Sequence, residues 1–125
     1  IDEDGKRSQP WSYGDEEAEP DFFEEAMQEY CYSFYSIGSD TSREAFRRIS
    51  EKLSGIYPSN PEFVNNIGSY YLLKHDYKTA LKYYNKVLKK HPGDRTAMQN
   101  ALIAAKKMKN TKLEKKYQAM MAKNN

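Results

Sequence analysis

The sequence predicts an all-α protein of about three antiparallel helical hairpins, and three observations support this prediction. Apolar residues recur at intervals of three and four from residue 21 onwards, which is the period of an amphipathic helix. No segment alternates apolar and polar residues with period two, as a half-buried strand does. The spacing of Pro58 and Pro92, 92 − 58 = 34, indicates a repeated unit, and we call this spacing the repeat period.

Composition limits the class of protein further. A chain of 125 residues suits one domain, and its 11 tyrosines and 5 phenylalanines must form much of the core. The single cysteine, Cys31, excludes a disulfide framework and a cysteine-rich zinc site. No apolar run reaches the ~20 residues that a membrane-spanning helix needs. The chain begins with Ile1, which indicates a processed or excised chain. This start and the abundance of Tyr, Lys and Asn favour an exported bacterial protein.

Residues 1–20 are predicted to form an acidic irregular segment, followed by a helical domain over residues 21–123. The segment IDEDGKRSQPWSYGDEEAEP has no helical period and is rich in acids, Gly, Pro and Ser, which is typical of disorder. It also holds an aromatic pair, Trp11 and Tyr13. We hypothesise that Trp11 docks on the helical body or on a second copy of the chain, with an incidental packing contact as the alternative.

The first two helices follow Pro20. A capping box of Asp21 and Glu24 begins the first, and Gly38 ends it. Its predicted core stripe comprises Phe23, Met27, Tyr30, Cys31 and Phe34. A capping box of Thr41 and Glu44 begins the second helix, and Pro58 closes it. Its stripe comprises Ala45, Phe46, Ile49, Leu53 and Ile56.

The next two helices form the central hairpin. Asn60 followed by Pro61 is a helix-start signal, because Asn caps well and Pro fits the first helical position. The third helix carries the stripe Val64, Ile67, Gly68, Tyr71 and Leu72. A tight turn at His75 and Asp76 follows, with Asp76 as the cap of the fourth helix. That helix carries Tyr77, Ala80, Leu81, Tyr84, Val87 and Leu88, and stops before Pro92.

The last two helices complete the third hairpin. Asp94 caps the fifth helix, whose stripe comprises Met98, Ala101, Leu102, Ala105 and Met108. A capping box of Thr111 and Glu114 begins the sixth. It carries Leu113, Tyr117, Met120 and Met121 and frays into KNN.

The stretch PEFVNNIGSYYLLKHDYKTALKYYNKVLKKHPGD, residues 61–94, resembles one complete tetratricopeptide repeat. The residues that carry the resemblance are Val64, Ile67, Gly68, Tyr71, Asp76, Tyr77, Ala80, Tyr84, Val87, Leu88 and Pro92. The resemblance implies a short right-handed solenoid in which Gly68 and Ala80 let two helices cross closely. The flanking units depart from the pattern. In the first unit the Gly38 turn looks longer. In the third unit the small residues are replaced, because Leu102 stands one repeat period after Gly68 and Glu114 stands one repeat period after Ala80.

The resemblance also implies a groove lined by the first helix of each hairpin, where a peptide or a partner helix binds. In the central repeat its residues would be Glu62, Asn65, Asn66, Ser69, Leu72 and Leu73. In the third they would be Thr96, Gln99, Asn100, Ile103, Lys106 and Lys107. Apolar groove residues would anchor a partner, unless another helix or the N-terminal segment covers them. The cationic clamp with which some family members hold a C-terminal carboxylate is rejected, because Thr96 and Asn100 replace its Lys and Arg.

Catalytic and metal-binding patterns are absent from the sequence, so neither a cofactor nor an enzymatic activity is predicted. His75 and His91, the only histidines, fall at predicted turns without the ligand spacing of a zinc site. The favoured function is a non-catalytic protein–protein interaction module, a scaffold or adaptor whose groove binds a protein or peptide. One alternative is polyanion or nucleic-acid binding through Lys106, Lys107, Lys109, Lys112, Lys115 and Lys116, although no aromatic platforms interleave with them.

A purely structural role is the other alternative. Residues 1–30 hold 11 acidic and 2 basic side chains, and residues 74–125 hold 14 basic and 3 acidic ones. Opposite charges at the two ends can drive head-to-tail self-association, whereas ordinary solvated surface would give the same composition without association.

Overall fold

The computed structural model describes residues 22–124, and this part of the chain is α-helical without any strand. The predicted all-α fold is therefore confirmed. Its helices are α1 (Phe22–Ile37), α2 (Asp40–Ile56), α3 (Pro61–Leu73), α4 (Tyr77–Lys90), α5 (Arg95–Lys107) and α6 (Thr111–Lys123). The acidic segment, with Trp11 and the predicted cap at Asp21, lies outside the described residues.

Each helix packs on its neighbour in the sequence, and α3 also contacts α5. Links of two to four residues join the helices, and helices on such short links run antiparallel. Contact between α3 and α5 places the first helices of two successive hairpins side by side. The handedness of this stack stays a prediction.

The links recur with the repeat period of the sequence. His75 and Lys109, one repeat period apart, both adopt a left-handed backbone, with φ of 65° and 56°. The N-caps Asn60 and Asp94 are also one repeat period apart, as are Asp76 and Asn110. Gly38 has φ of 84° in the first hairpin, but that link has only two residues. The expectation of a longer Gly38 turn was therefore wrong. The residues that the first hairpin has beyond the central one lie in its helices, as in α2, which has 17 residues against 14 in α4.

Three predicted caps are confirmed, and two capping boxes are wrong. Asn60, Asp76 and Asp94 each accept a hydrogen bond from a backbone N–H of the helix that follows. In place of Thr41, Ser39 caps α2 by accepting from Ser42 N at 3.1 Å. In place of Thr111, Asn110 caps α6 by accepting from Leu113 N at 3.1 Å. Both true caps lie upstream of the predicted ones, so Thr41 and Thr111 are already helical.

Buried side chains form two clusters. The N-terminal cluster lies among α1, α2 and α3 and comprises Cys31, Phe46, Leu53, Phe63 and Tyr70. The C-terminal cluster lies among α4, α5 and α6 and comprises Ala80, Leu81, Tyr84, Val87, Leu88, Ala97, Met98, Ala101, Ala104, Ala105 and Tyr117. Tyr71 packs against both clusters. Its ring stacks on Tyr83 with centroids 5.9 Å apart, so one tyrosine joins the two halves of the core.

A neighbouring aromatic ring leaves no room for a side chain at Gly68. A Cβ at this position would lie 2.7 Å from Cε1 and 2.9 Å from Cζ of Tyr84, which is itself fully buried. The sequence predicted a close crossing of two helix backbones here. The structure shows that the space is filled by the Tyr84 side chain, with Ala80 fully buried on the same helix.

The predicted core stripes of α1 and α2 were partly wrong. Phe23 and Tyr30 are exposed, because α1 packs chiefly on α2 and buries only the side that carries Cys31. Ile56, the last residue of α2, is exposed as well. In α3 the sequence missed Phe63 and Tyr70, which are buried in the N-terminal cluster.

Candidate interaction surfaces

The predicted groove residues lie on α3 and α5, the helices that contact each other across two hairpins. Their exposure divides them into three groups. Glu62, Thr96, Gln99, Ile103, Lys106 and Lys107 are exposed. Asn66, Ser69, Leu72, Leu73 and Asn100 are partly buried. Only Asn65 is buried, with 4% of its surface exposed.

Asn65 fastens α3 to the start of α5. Its Nδ2 donates to Asp94 Oδ1 at 3.2 Å, and the same carboxylate oxygen accepts from Ala97 N at 2.9 Å as the cap of α5. Asn65 Oδ1 is buried without a hydrogen-bond partner among the described residues. The side chain is therefore enclosed between two helices and does not offer its amide to a partner in this conformation.

Two other polar groove residues also make internal hydrogen bonds. Asn66 Nδ2 donates to Ser50 Oγ at 3.3 Å, which ties α3 to α2. Ser69 Oγ and Tyr84 OH lie 3.1 Å apart and share a hydrogen bond between α3 and α4. Both side chains remain partly exposed, so they position the helices and keep some surface towards solvent.

The three apolar groove residues differ in what they contact. Leu72 packs against the C-terminal cluster, so part of its side chain serves the core. Leu73 is partly exposed, and Ile103 has 43% of its surface exposed. Leu73 and Ile103 are thus the two apolar side chains of the predicted groove that belong to neither buried cluster.

Charge differs between the residues of this surface. Although Glu62 is exposed as a whole residue, neighbouring atoms partly desolvate its carboxyl group and raise its pKa, and the nearby Asp94 carboxylate raises it further. On α5, Lys106 and Lys107 are exposed in the last turn, where the helix dipole favours cations. A partner bound here would meet carboxylates near the start of α3 and ammonium groups near the end of α5.

The outer face of α1 is a second candidate surface, and sequence reasoning missed it. We define this α1 outer face as Phe22, Phe23, Ala26, Tyr30, Ser33 and Ile37, all exposed. Phe22 and Ile37, at its two ends, expose 78% and 67% of their surface. Phe23, Tyr30 and Ile37 recur every seven residues, which places them on one side of a helix. This recurrence is visible in the sequence, but the spacing alone does not separate these residues from the buried stripe of the same helix.

The outer face of α6 is polar by comparison. We define this α6 outer face as Lys112, Lys115, Ala119 and Ala122, all exposed, whereas Tyr117 is fully buried on the opposite side. One repeat period earlier, the matching positions of α4 carry Lys78, Leu81, Asn85 and Leu88, of which both leucines are buried. The stack therefore presents large apolar side chains on α1 and lysines with small side chains on α6.

No three His, Cys, Asp or Glu side chains in residues 22–124 come close enough together to hold a metal ion. His75 and His91 lie in the links that follow α3 and α4. Burial raises the pKa of the Cys31 thiol despite a hydrogen bond from Ser50. None of the described helices combines the length and the apolar character needed to cross a membrane.

Comparison of the chain with protein-family models and with curated proteins found no match. The tetratricopeptide resemblance therefore continues to rest on the residues of the repeat and on the recurrence of the links with the repeat period.

Proposed function

We propose that this protein is a non-catalytic interaction module that binds a peptide or a partner helix along α3 and α5. The observation that carries the proposal is the exposure of Ile103 between Gln99 and Lys106, which are exposed on the same helix. An apolar side chain framed by polar ones is the arrangement of an anchoring site at an interface. Leu73 is a second apolar side chain that stays partly exposed, on α3, which contacts α5.

The binding mechanism follows from the contacts that already hold the surface. Hydrogen bonds from Asn66 to Ser50 and between Ser69 and Tyr84 fix α3 before a partner arrives. Binding to a fixed surface loses little conformational entropy in the module. Gln99 and the exposed parts of Asn66 and Ser69 would hydrogen-bond the partner backbone, while Leu73 and Ile103 bury its apolar side chains.

Affinity capture from a lysate of the source organism tests this proposal. The wild type is compared with the double variant Leu73→Asp, Ile103→Asp. Ile56→Asp is the matched control, because Ile56 is also an exposed isoleucine, on α2, outside the proposed surface. A protein recovered by the wild type and the control, and lost with the double variant, supports the groove. Equal recovery with all three contradicts it.

Polyanion binding is the second candidate, because six lysines on α5, on α6 and in the link between them are all exposed: Lys106, Lys107, Lys109, Lys112, Lys115 and Lys116. Lysine–phosphate contacts weaken steeply as salt is added. Two results would favour this function over the groove. The protein would be retained on immobilised heparin and lose this retention when these lysines are replaced by glutamine, and the captured material would contain nucleic acid.

A further inference from the structure

We propose that the chain self-associates head to tail, with the α1 outer face of one copy packed on the α6 outer face of the next. This proposal is independent of the α3–α5 groove, because it uses the first and the last of the described helices. It identifies a second copy of the chain as the occupant of the exposed apolar surface on α1.

The packing order within the chain supports this pairing. The second helix of one hairpin receives the first helix of the next in both cases that the structure describes, α2 with α3 and α4 with α5. α6 is the second helix of the last hairpin and α1 is the first helix of the first hairpin. Packing of α1 from a second copy on α6 would therefore continue the same order.

The charges of the two helices are also complementary. α1 carries Glu24, Glu25 and Glu29 and no basic residue, and the sequence has no Lys or Arg anywhere between Arg7 and Arg43. α6 carries four lysines and one glutamate. Complementary charge favours the α1–α6 pairing. A symmetric pairing of two α1 helices would bring two acidic surfaces together and is disfavoured.

The side chains of the two faces also differ in size in a complementary way. The α6 outer face has alanines at 119 and 122, which leave room for large side chains, whereas the α1 outer face offers Phe22, Phe23, Tyr30 and Ile37. Large side chains opposite small ones interdigitate well. The aliphatic stems of Lys112 and Lys115 can lie on the aromatic rings while their ammonium groups reach the glutamates of α1.

Exposed residues provide variants that leave the core intact. Glu25, Glu29, Lys112 and Lys115 are all exposed. The acidic-face variant is Glu25→Lys, Glu29→Lys, and the basic-face variant is Lys112→Glu, Lys115→Glu. Each has like charges on its two outer faces, so each should self-associate more weakly than the wild type. Mixed together they restore opposite charges where the α1 face of one variant meets the α6 face of the other. Circular dichroism verifies that both remain helical.

Sedimentation velocity of the full chain at rising concentration and low salt is the test. The wild type should form species larger than a dimer, because a head-to-tail contact that does not close continues to add copies. Each charge variant should weaken association by about tenfold or more, and an equimolar mixture should recover it. Ile37→Asp should abolish association, and Ile56→Asp should leave it unchanged.

Three outcomes would overturn the proposal. The first is a wild type that stays monomeric at every concentration. If deletion of residues 1–20 then allows association, that segment, and not a second copy, is the occupant of the α1 outer face. The second is a dimer that stops at two copies and persists in the basic-face variant, which indicates symmetric α1 pairing. The third is association of either charge variant alone as strong as that of the wild type.

Discussion

At position 68, one neighbouring ring limits which side chain can fit. We expect Gly68→Ala to lower the free energy of unfolding by up to about 2 kcal/mol, because the usual overpacking cost of about 1–3 kcal/mol is partly offset by helix propensity. The new Cβ would lie 2.7 Å from the buried Tyr84 ring, and this clash exceeds the roughly 1 kcal/mol gained in helix propensity. Urea unfolding followed by circular dichroism measures the change. Gly55→Ala is the matched control, because nothing lies within 4 Å of its Cβ. It should be neutral or stabilising by up to about 1 kcal/mol.

Tyr84 also determines part of the stability at alkaline pH. Burial raises its pKa to about 12, and hydrogen bonds with Ser69 and Asn100 oppose the rise. Because the folded pKa lies above the unfolded value of 10.0, the contribution of Tyr84 is fully present below pH 10 and is lost as pH rises towards 12. The loss should be about 2 kcal/mol.

Comparison with Tyr84→Phe isolates this effect, because the other tyrosines titrate in both proteins. Unfolding free energies of the two proteins should converge above pH 10. If their difference stays constant up to pH 12, Tyr84 ionises as readily in the folded chain as in the unfolded one, and the expected linkage is wrong.

Single residues also show where sequence reasoning is reliable and where it is not. Asn60 was predicted correctly because Asn followed by Pro leaves one reasonable cap. Thr41 and Thr111 were wrong because each lies one or two residues after another good capping residue, Ser39 or Asn110. The capping-box pattern does not rank two neighbouring candidates, and the extended backbone that selects one of them is set by the link geometry.

At the scale of elements, Asn60 both caps α3 and connects it to α1. Its Oδ1 accepts from Glu62 N at 2.9 Å, while Nδ2 donates to Gln28 Oε1 at 2.7 Å and to Glu24 Oε2. Asn60→Ala should therefore cost about 2 kcal/mol, more than a cap alone. Asn110→Ala removes a cap whose hydrogen bond, from Leu113 N, is local to α6, and it should cost about 1 kcal/mol. Equal losses in thermal unfolding would show that the connection to α1 contributes nothing.

The faces of the helices were harder to predict than the helices themselves. Asn65 belongs to a predicted groove, yet Asp94, 29 residues away in the sequence, encloses it between α3 and α5. Phe23 and Tyr30 share the helical period of buried residues but face outwards from the first helix of the stack. Periodicity shows that a residue lies on an apolar side, whereas the neighbouring element determines whether that side is covered.

The whole molecule was the easiest scale to predict. The links are marked by two prolines and three caps: Pro58, Pro92, Asn60, Asp76 and Asp94. The packing order follows because the links between helices are short. The proposed surfaces depend on what remains exposed after stacking. The α1 outer face could not be assigned to the surface without knowing that α1 is buried on only one side.

A stack in which each helix packs mainly on its neighbours should unfold from its ends. Phe46→Ala opens the N-terminal cluster at a fully enclosed side chain and should cost about 3–5 kcal/mol. Hydrogen exchange of backbone amides should then accelerate in α1 and α2, while α5 and α6 keep their protection, because the C-terminal cluster retains all its contacts. Met98→Ala, in that second cluster, should give the opposite distribution. If either variant accelerates exchange equally in all six helices, the contact between α3 and α4, of which Tyr71 is one part, couples the clusters strongly enough for the stack to unfold as one cooperative unit.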